Sequence, residues 1–120
     1  MNNPPISNLN QEISRLHANI CAAISDPRRL MLLYAIDQQP RNVSRLAESI
    51  GISQPAASRH LKLLQQRGLV RANREGASII YTLTDPRLIE AMNLLRDVLY
   101  QRLEQRAELL DHEHRAEKET

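Results

Sequence analysis

Residues 42–68 read NVSRLAESIGISQPAASRHLKLLQQRG and predict two short helices joined by a tight turn. The apolar residues that recur at helical spacing in the first helix are Val43, Leu46, Ala47 and Ile50. Gly51 can adopt the left-handed conformation that ends a helix, and Ser53 is a good N-cap for the next one. Pro55 is tolerated in the first turn because the amide it lacks would be unpaired there. The stretch therefore predicts a helix-turn-helix.

The second helix has an apolar face and a polar face without carboxylates. The predicted buried stripe consists of Ala57, Leu61 and Leu64, and the opposite face carries Gln54, Ser58, Arg59, Lys62 and Gln65. A face that only solubilises a helix normally mixes both signs of charge. The hydrogen-bonding and positively charged side chains of this face suit the acceptors and phosphates that the major groove of DNA offers an inserted helix. The alternative is an ordinary amphipathic helix pair, which occurs in many folds.

A β-hairpin is predicted directly after the helix pair. Its strands are LVRANR, residues 69–74, and SIIYTL, residues 78–83, separated by Glu75, Gly76 and Ala77. Gly76 can take the positive φ that a tight turn needs. A hairpin in this position makes a winged helix-turn-helix, so we expect a mainly helical fold with one small hairpin.

Two segments carry a resemblance to a known family. SQPAASRHLKLLQQRGLVRANREG, residues 53–76, resembles the recognition helix and wing of the ArsR/SmtB family of bacterial winged-helix repressors. SDPRRLMLL, residues 25–33, resembles the start of that family's second helix, and the match extends from about Ala22 to Leu83. The resemblance implies a dimer through the terminal helices that binds an inverted-repeat operator.

Three more helices are predicted outside the motif, giving five in all. They cover about Asn8–Ser25, Pro27–Gln39 and Pro86–Leu110. Asp26–Pro27 and Asp85–Pro86 open the last two, since Asp caps a helix and Pro suits its first turn. In the helix after Asp26, we expect Leu30, Leu33 and Tyr34 to face inward.

The first and last helices each carry a long apolar seam. The seam residues are Leu9, Ile13, Leu16, Ile20 and Ile24 in the first helix, and Leu88, Met92, Leu95, Leu99 and Leu103 in the last. Their spacing is close to that of a coiled coil. One small domain cannot easily cover two such seams, so we expect a two-fold homodimer through these helices. The alternative is that both seams close the core of one monomer.

Composition and charge narrow the class of protein. The 120 residues are 42% hydrophobic and 25% charged, which is typical of one globular domain. The presence of only three Gly and the absence of Phe and Trp argue against a β-rich fold. We predict a flexible arm over residues 1–7, a DNA-binding and dimerisation domain over 8–110, and a charged tail over 111–120. No apolar run approaches the roughly 20 residues that span a bilayer, and no signal peptide is evident, so we expect a cytoplasmic protein.

The positive charge is concentrated in the predicted DNA-binding segment. The net charge is only +2, but residues 41–76 contain seven basic and two acidic residues, a local +5. Residues 101–120 contain four basic and six acidic residues, a local −2. Because bound phosphates release counterions, about four phosphate contacts would make binding fall roughly as the fourth power of salt concentration.

Eight residues are predicted to contact DNA. Gln54, Ser58 and Arg59 are expected at base edges, Ser53, His60 and Lys62 on or near phosphates, and Arg71 and Arg74 in the wing. His60 borders the apolar stripe, so a hydrogen-bonded structural role is an equal alternative. Recognition helices about 34 to 36 Å apart in a dimer would enter successive major grooves. The operator should then be an imperfect inverted repeat.

The metal ligands with which members of the resembled family sense metals are absent from the corresponding positions of this sequence. The C-x-C metal motif of that family corresponds to Val43–Arg45, which contains no Cys, and residues 85–110 contain no His for its long-helix site. His17 and Cys21 share a helix face and are the candidate redox or zinc sensor across a dimer axis. The alternative is that Cys21 is plain core. Asp111–His114 is either a metal clamp or a solvated helix end.

The leading interpretation is a sequence-specific repressor that needs no cofactor and whose effector is unknown. Two alternatives stay open: a winged-helix protein–protein interaction module, and a nonspecific architectural DNA binder. An enzyme is not expected, because no Ser/His/Asp set, Gly-rich phosphate loop or close carboxylate pair can be placed.

Overall fold

A computed structural model describes residues 5–119 and shows five helices and one two-stranded antiparallel sheet. Helix α1 comprises Ile6–Leu16, a π-helical turn His17–Cys21 and a last turn Ala22–Ile24. The other elements are α2 (Pro27–Gln38), α3 (Val43–Ile50), α4 (Gln54–Gln66), β1 (Val70–Glu75), β2 (Ser78–Leu83) and α5 (Arg87–Glu119). The expected mainly helical winged helix-turn-helix is confirmed. The described residues up to Pro86 form one compact unit and α5 a second.

The helix boundaries follow from local capping chemistry. Asp26 accepts a hydrogen bond from the backbone N–H of Arg28 at 2.8 Å, with Pro27 in the first turn of α2. Ser53 accepts from the N–H of Ala56 at 3.2 Å and caps α4. Gly51 ends α3 with φ of 72°, which a side chain would disfavour. The predicted helix–turn–helix boundaries are therefore confirmed.

The core of the first unit lies between α2, α3 and α4. Its largest fully buried side chains are Leu32, Leu33, Ile36, Leu46, Leu61 and Leu64. The predicted stripe of α4 is confirmed, since Ala57, Leu61 and Leu64 are all 0% exposed. The prediction for α2 is only partly right, because Leu30 and Tyr34 are half-buried. Helix α2 packs against both α3 and α4, so it buries a wider face than one stripe.

The hairpin packs against the helices and is hydrogen-bonded to the segment between α2 and α3. Its strands pair from Val70 opposite Leu83 to Glu75 opposite Ser78. Glu75 thus belongs to β1, not to the loop as predicted, and the loop is the two-residue Gly76–Ala77 with Gly76 at φ of 62°. The Tyr81 N–H donates to the Arg41 carbonyl at 3.0 Å, which joins β2 to the segment between α2 and α3.

Both ends of the chain are more helical than predicted. Helix α1 already begins at Ile6, and residues 1–4 of the predicted arm lie outside the described residues. Helix α5 continues to Glu119, so the prediction that it ends near Leu110 is wrong. Residues 104–118 contain many strong helix formers and no Gly or Pro, and nothing in them stops the helix.

The middle of each apolar seam, in α1 and in α5, is exposed in one chain. Ile13 is 51% exposed in α1, and Leu95 and Leu99 are 59% and 56% exposed in α5. Leu88 and Met92, near the start of the α5 seam, are half-buried, and Ile89 beside them is only 5% exposed. Among the helices of residues 5–119, none has the length and apolar character needed to cross a membrane.

Candidate nucleic-acid interface

The polar face of α4 is open to solvent. Its exposed residues are Gln54, Ser58, Arg59, Lys62 and Gln65, with Ser53 exposed at the preceding cap. Within the part of the chain that the structure describes, no carboxylate forms an ion pair with Arg59 or Lys62. The face therefore presents hydrogen-bond donors and positive charge that no ion pair among the described side chains neutralises.

The buried stripe of α4 determines which way this face points. Leu61 and Leu64 are completely buried, and Leu64, six residues after Ser58 and two after Lys62, points away from both of them. Turning the polar face inward would expose both leucines at a cost of about 1.5 to 3 kcal/mol each. The core thus holds Gln54, Ser58 and Lys62 outward.

His60 lies away from the polar face, in a cluster with α2. Its Nδ1 is 3.5 Å from Nη1 of Arg29, and the same Nη1 is 3.7 Å from Oδ2 of Asp26. His60 is half-buried, unlike Arg59 and Lys62. Of the two roles that the sequence left open for His60, these contacts favour the structural one.

The surroundings of His60 disfavour its charged form. Burial lowers the pKa of His60, and the positive charges of Arg28, Arg29 and Arg59 lower it further, while Asp26 acts in the opposite direction. Hydrogen bonds from Arg28 lower the pKa of Asp26, with the larger effect from the Arg28 side chain and the smaller from its backbone N–H. The cluster therefore favours neutral His60 beside ionised Asp26.

Acidification is expected to destabilise the protein through His60. As pH falls below 6.5, the ordinary pKa of histidine, the unfolded chain takes up a proton that the folded chain resists. The free energy of unfolding should therefore fall until the folded pKa is passed. His60→Gln should lose less stability than the wild type in urea denaturation at about pH 7.5 and about pH 5.5. Equal losses in the two proteins would contradict this, and His17→Gln, at an exposed histidine, is the control.

The two wing arginines are both exposed but lie on opposite faces of the hairpin. Arg71 pairs with Thr82 and Arg74 with Ile79, three positions apart on β1, and alternate strand residues point to opposite faces. Asn73 shares the face of Arg71, and its Nδ2 donates to Oγ1 of Thr82 at 3.2 Å. The odd spacing of Arg71 and Arg74 along β1 is the sequence signal for this arrangement, whereas their charge alone does not distinguish the two faces.

The candidate sensor residues lie together on the π-helical turn of α1. His17 is exposed, and Cys21 is a free, half-buried thiol. In the described part of the chain, no three His, Cys, Asp or Glu side chains come together as metal ligands. Asp111, His112 and His114 are exposed on α5, and Asp111 pairs with Arg115 at 3.4 Å as its i,i+4 neighbour.

Two arginines make long-range contacts that the sequence does not predict. Arg29 donates from Nε to the carbonyl of Ala23 and from Nη2 to that of Ala22 at 3.2 Å. Arg67 donates from Nη1 to the carbonyl of Ala18 at 2.7 Å, although 49 residues separate the two. The sequence contains no local sign of these bonds, and Arg67 was counted only as part of a basic segment.

Comparison with known proteins identifies the family. Residues 26–72 match the model of the bacterial regulatory protein arsR family. The chain is 36% identical over 98 residues to the HTH-type transcriptional regulator NmtR of Mycobacterium tuberculosis, covering 82% of this chain and 79% of that one. The chain belongs to the arsR family of bacterial regulatory proteins.

Two further similar proteins agree with this assignment, one in sequence and one in structure. A probable mercury resistance operon repressor of Streptomyces lividans is 39% identical over 79 residues, covering 66% of this chain and 63% of that one. A homodimeric winged helix-turn-helix DNA-binding domain of Mycobacterium bovis superposes with a TM-score of 0.70 at 28% identity, covering 80% of this chain and 89% of that one. This arsR-family chain is thus a DNA-binding transcriptional regulator of the winged-helix type, as predicted, and its relatives are regulators, not enzymes.

Proposed function

We propose that the protein is a repressor that binds an imperfect inverted-repeat operator as a homodimer, with one α4 in each of two successive major grooves. The observation that supports this most is the exposed, carboxylate-free face of α4, which the buried Leu61 and Leu64 hold outward. A major groove is wide enough to admit a helix and offers acceptors to such a face. Because its proposed target is bacterial DNA, the protein would act in the cytoplasm.

The dimer is proposed through α1 and α5. Each helix by itself exposes an apolar seam, including Ile13 and Leu16 in α1 and Leu95, Leu99 and Leu103 in α5. Contiguous apolar surface of this kind is typical of an interface. The homodimeric state of the similar Mycobacterium bovis domain supports the same arrangement. A two-fold axis would relate the two recognition helices and account for a palindromic operator.

The DNA contacts are divided by chemistry. We assign Gln54, Ser58 and Arg59 to base edges, since amide and guanidinium groups can form paired hydrogen bonds with purines. Ser53 and Lys62 are assigned to phosphates, together with Arg71 and Arg74 of the wing. We now assign His60 to support of α4, because it contacts Arg29.

Selection from a random duplex library tests this function. The recovered sequences should share an inverted repeat, and the protein should bind it at least about 1000-fold more tightly than a scrambled duplex at physiological salt. A nonspecific architectural binder would not distinguish the two duplexes. A protein–protein interaction module would select no sequence at all.

A response through Cys21 stays a prediction. The half-buried thiol shares the π-helical turn with exposed His17. Because one chain supplies only these two ligands, a second copy across a dimer axis would be needed for a four-ligand zinc site or for a disulfide. Mild oxidation or zinc should then weaken operator binding, and oxidation should give a dimer in non-reducing electrophoresis. Cys21→Ser is the control. Operator binding indifferent to both treatments would remove the sensor hypothesis.

A further inference from the structure

The π-helical turn of α1 leaves one carbonyl without its usual partner. In an α-helix the Ala22 N–H would donate to the carbonyl of Ala18, four residues earlier. Here it donates to the carbonyl of His17 instead. Nη1 of Arg67 donates to the Ala18 carbonyl at 2.7 Å and so takes the place of the missing backbone donor.

Arg67 stands at the end of the recognition helix. It is the C-cap of α4, and its own N–H donates to the carbonyl of Leu63 at 3.0 Å. A short hydrogen bond from this position therefore joins the end of α4 to the middle of α1. Because the donor is charged, the bond is stronger than one between neutral groups.

A second connection joins the same two helices through α2. Arg29 donates to the carbonyls of Ala22 and Ala23, which lie at the C-terminal end of α1, and its Nη1 approaches His60 of α4. His60 and Arg67 are seven residues apart, so they lie on the same side of α4. That side is about half a turn away from Ser58 and Lys62, which face outward.

We propose that Arg67 is a positioning residue for operator recognition: by holding the π-helical turn of α1, it fixes α4 relative to the helix that carries the dimer seam. The proposal rests on the proposed function, in which α1 helps to form the dimer. A two-fold dimer must hold its recognition helices about 34 to 36 Å apart, and the angle between α4 and α1 contributes to that spacing. Arg67 thus acts through α1 and not through a DNA phosphate, although it lies in the most basic part of the chain.

Arg67→Gln tests this role, with Arg71→Gln on the wing as the matched control. Both variants lose one exposed positive charge. Arg71→Gln should weaken operator and scrambled DNA alike and reduce the slope of log K against log salt by about 0.9. Arg67→Gln should leave that slope unchanged, weaken the operator about tenfold and leave scrambled DNA unaffected. A slope reduced by about 0.9 in Arg67→Gln would show a phosphate contact and overturn the proposal.

Amide hydrogen exchange without DNA gives an independent measurement. The amides of residues 17–24 should exchange at least about fivefold faster in Arg67→Gln than in the wild type or in Arg71→Gln, because the turn loses a partner. Unchanged exchange there would overturn the proposal. If the wild type binds no duplex, the proposed function fails, while this exchange result still decides whether Arg67 holds the turn.

Discussion

Leu99→Glu is expected to convert the dimer into a monomer and to weaken operator binding by at least about 100-fold. Leu99 is 56% exposed in one chain and lies within the apolar seam of α5. In a two-fold dimer the substitution would place two carboxylates in the interface, and burying unpaired charge is costly. A monomer would present only one recognition helix, so it would lose the gain from engaging both half-sites at once.

Light scattering and operator titration would measure this effect. Gln101→Glu is the matched control, since it adds the same charge to the same helix two residues away, on the side opposite the seam. It should leave both the mass and the operator affinity near wild type. A Leu99→Glu protein that remains a dimer with wild-type affinity would show that the seam of α5 is not the interface.

Arg59→Ala is expected to weaken operator binding by about 1 to 3 kcal/mol, or roughly 5- to 150-fold, and to relax the preference at one base-pair position in each half-site. Arg59 is exposed on α4, and among the described residues no carboxylate pairs with it. Loss of a paired hydrogen bond to guanine would remove both affinity and discrimination.

A set of operators with single base-pair changes would separate the two kinds of contact on α4. Lys62→Ala is the comparison, because loss of a phosphate contact should weaken all of these operators equally and reduce the salt slope by about 0.9. If Arg59→Ala binds the operator as tightly as the wild type at physiological salt, the base-reading role assigned to Arg59 is wrong.

Features set by local chemistry were predictable from the sequence. Asp26 and Ser53 cap helices as expected, and Gly51 and Gly76 take the positive φ that the two turns require. These effects depend on residues only a few positions apart, so the helix-turn-helix and the hairpin followed directly. The buried stripe of α4 also followed, because one helical period sets which residues share a face.

The end of α5 was missed for a reason of composition. Residues 104–118 are highly charged, and their polarity led to the prediction of a charged tail over residues 111–120. These residues are nevertheless good helix formers, and pairs such as Asp111 with Arg115 stabilise an exposed helix by a few tenths of a kcal/mol. Polarity showed that the segment is exposed but did not show where the helix ends.

The contacts of Arg67 and His60 depend on tertiary structure. In the π-helical turn of α1, the Ala18 carbonyl accepts a hydrogen bond from Arg67, 49 residues away. No residue spacing within the first helix predicts this bond. The sequence is compatible with a DNA contact or a structural role for His60, and its contact with Arg29 favours the structural role. Helical periodicity places His60 at the border of the buried stripe but does not tell which long side chain from another element reaches it.

Hydroxyl-radical footprinting on the selected operator tests the central claim most directly, namely that two copies of α4 read successive major grooves. The account predicts protection on one face of the duplex at two half-sites whose centres are about 10 to 10.5 base pairs apart, and loss of this pattern in Leu99→Glu. Uniform protection without a repeat, or half-sites at a spacing that puts them on opposite faces of the duplex, would contradict it.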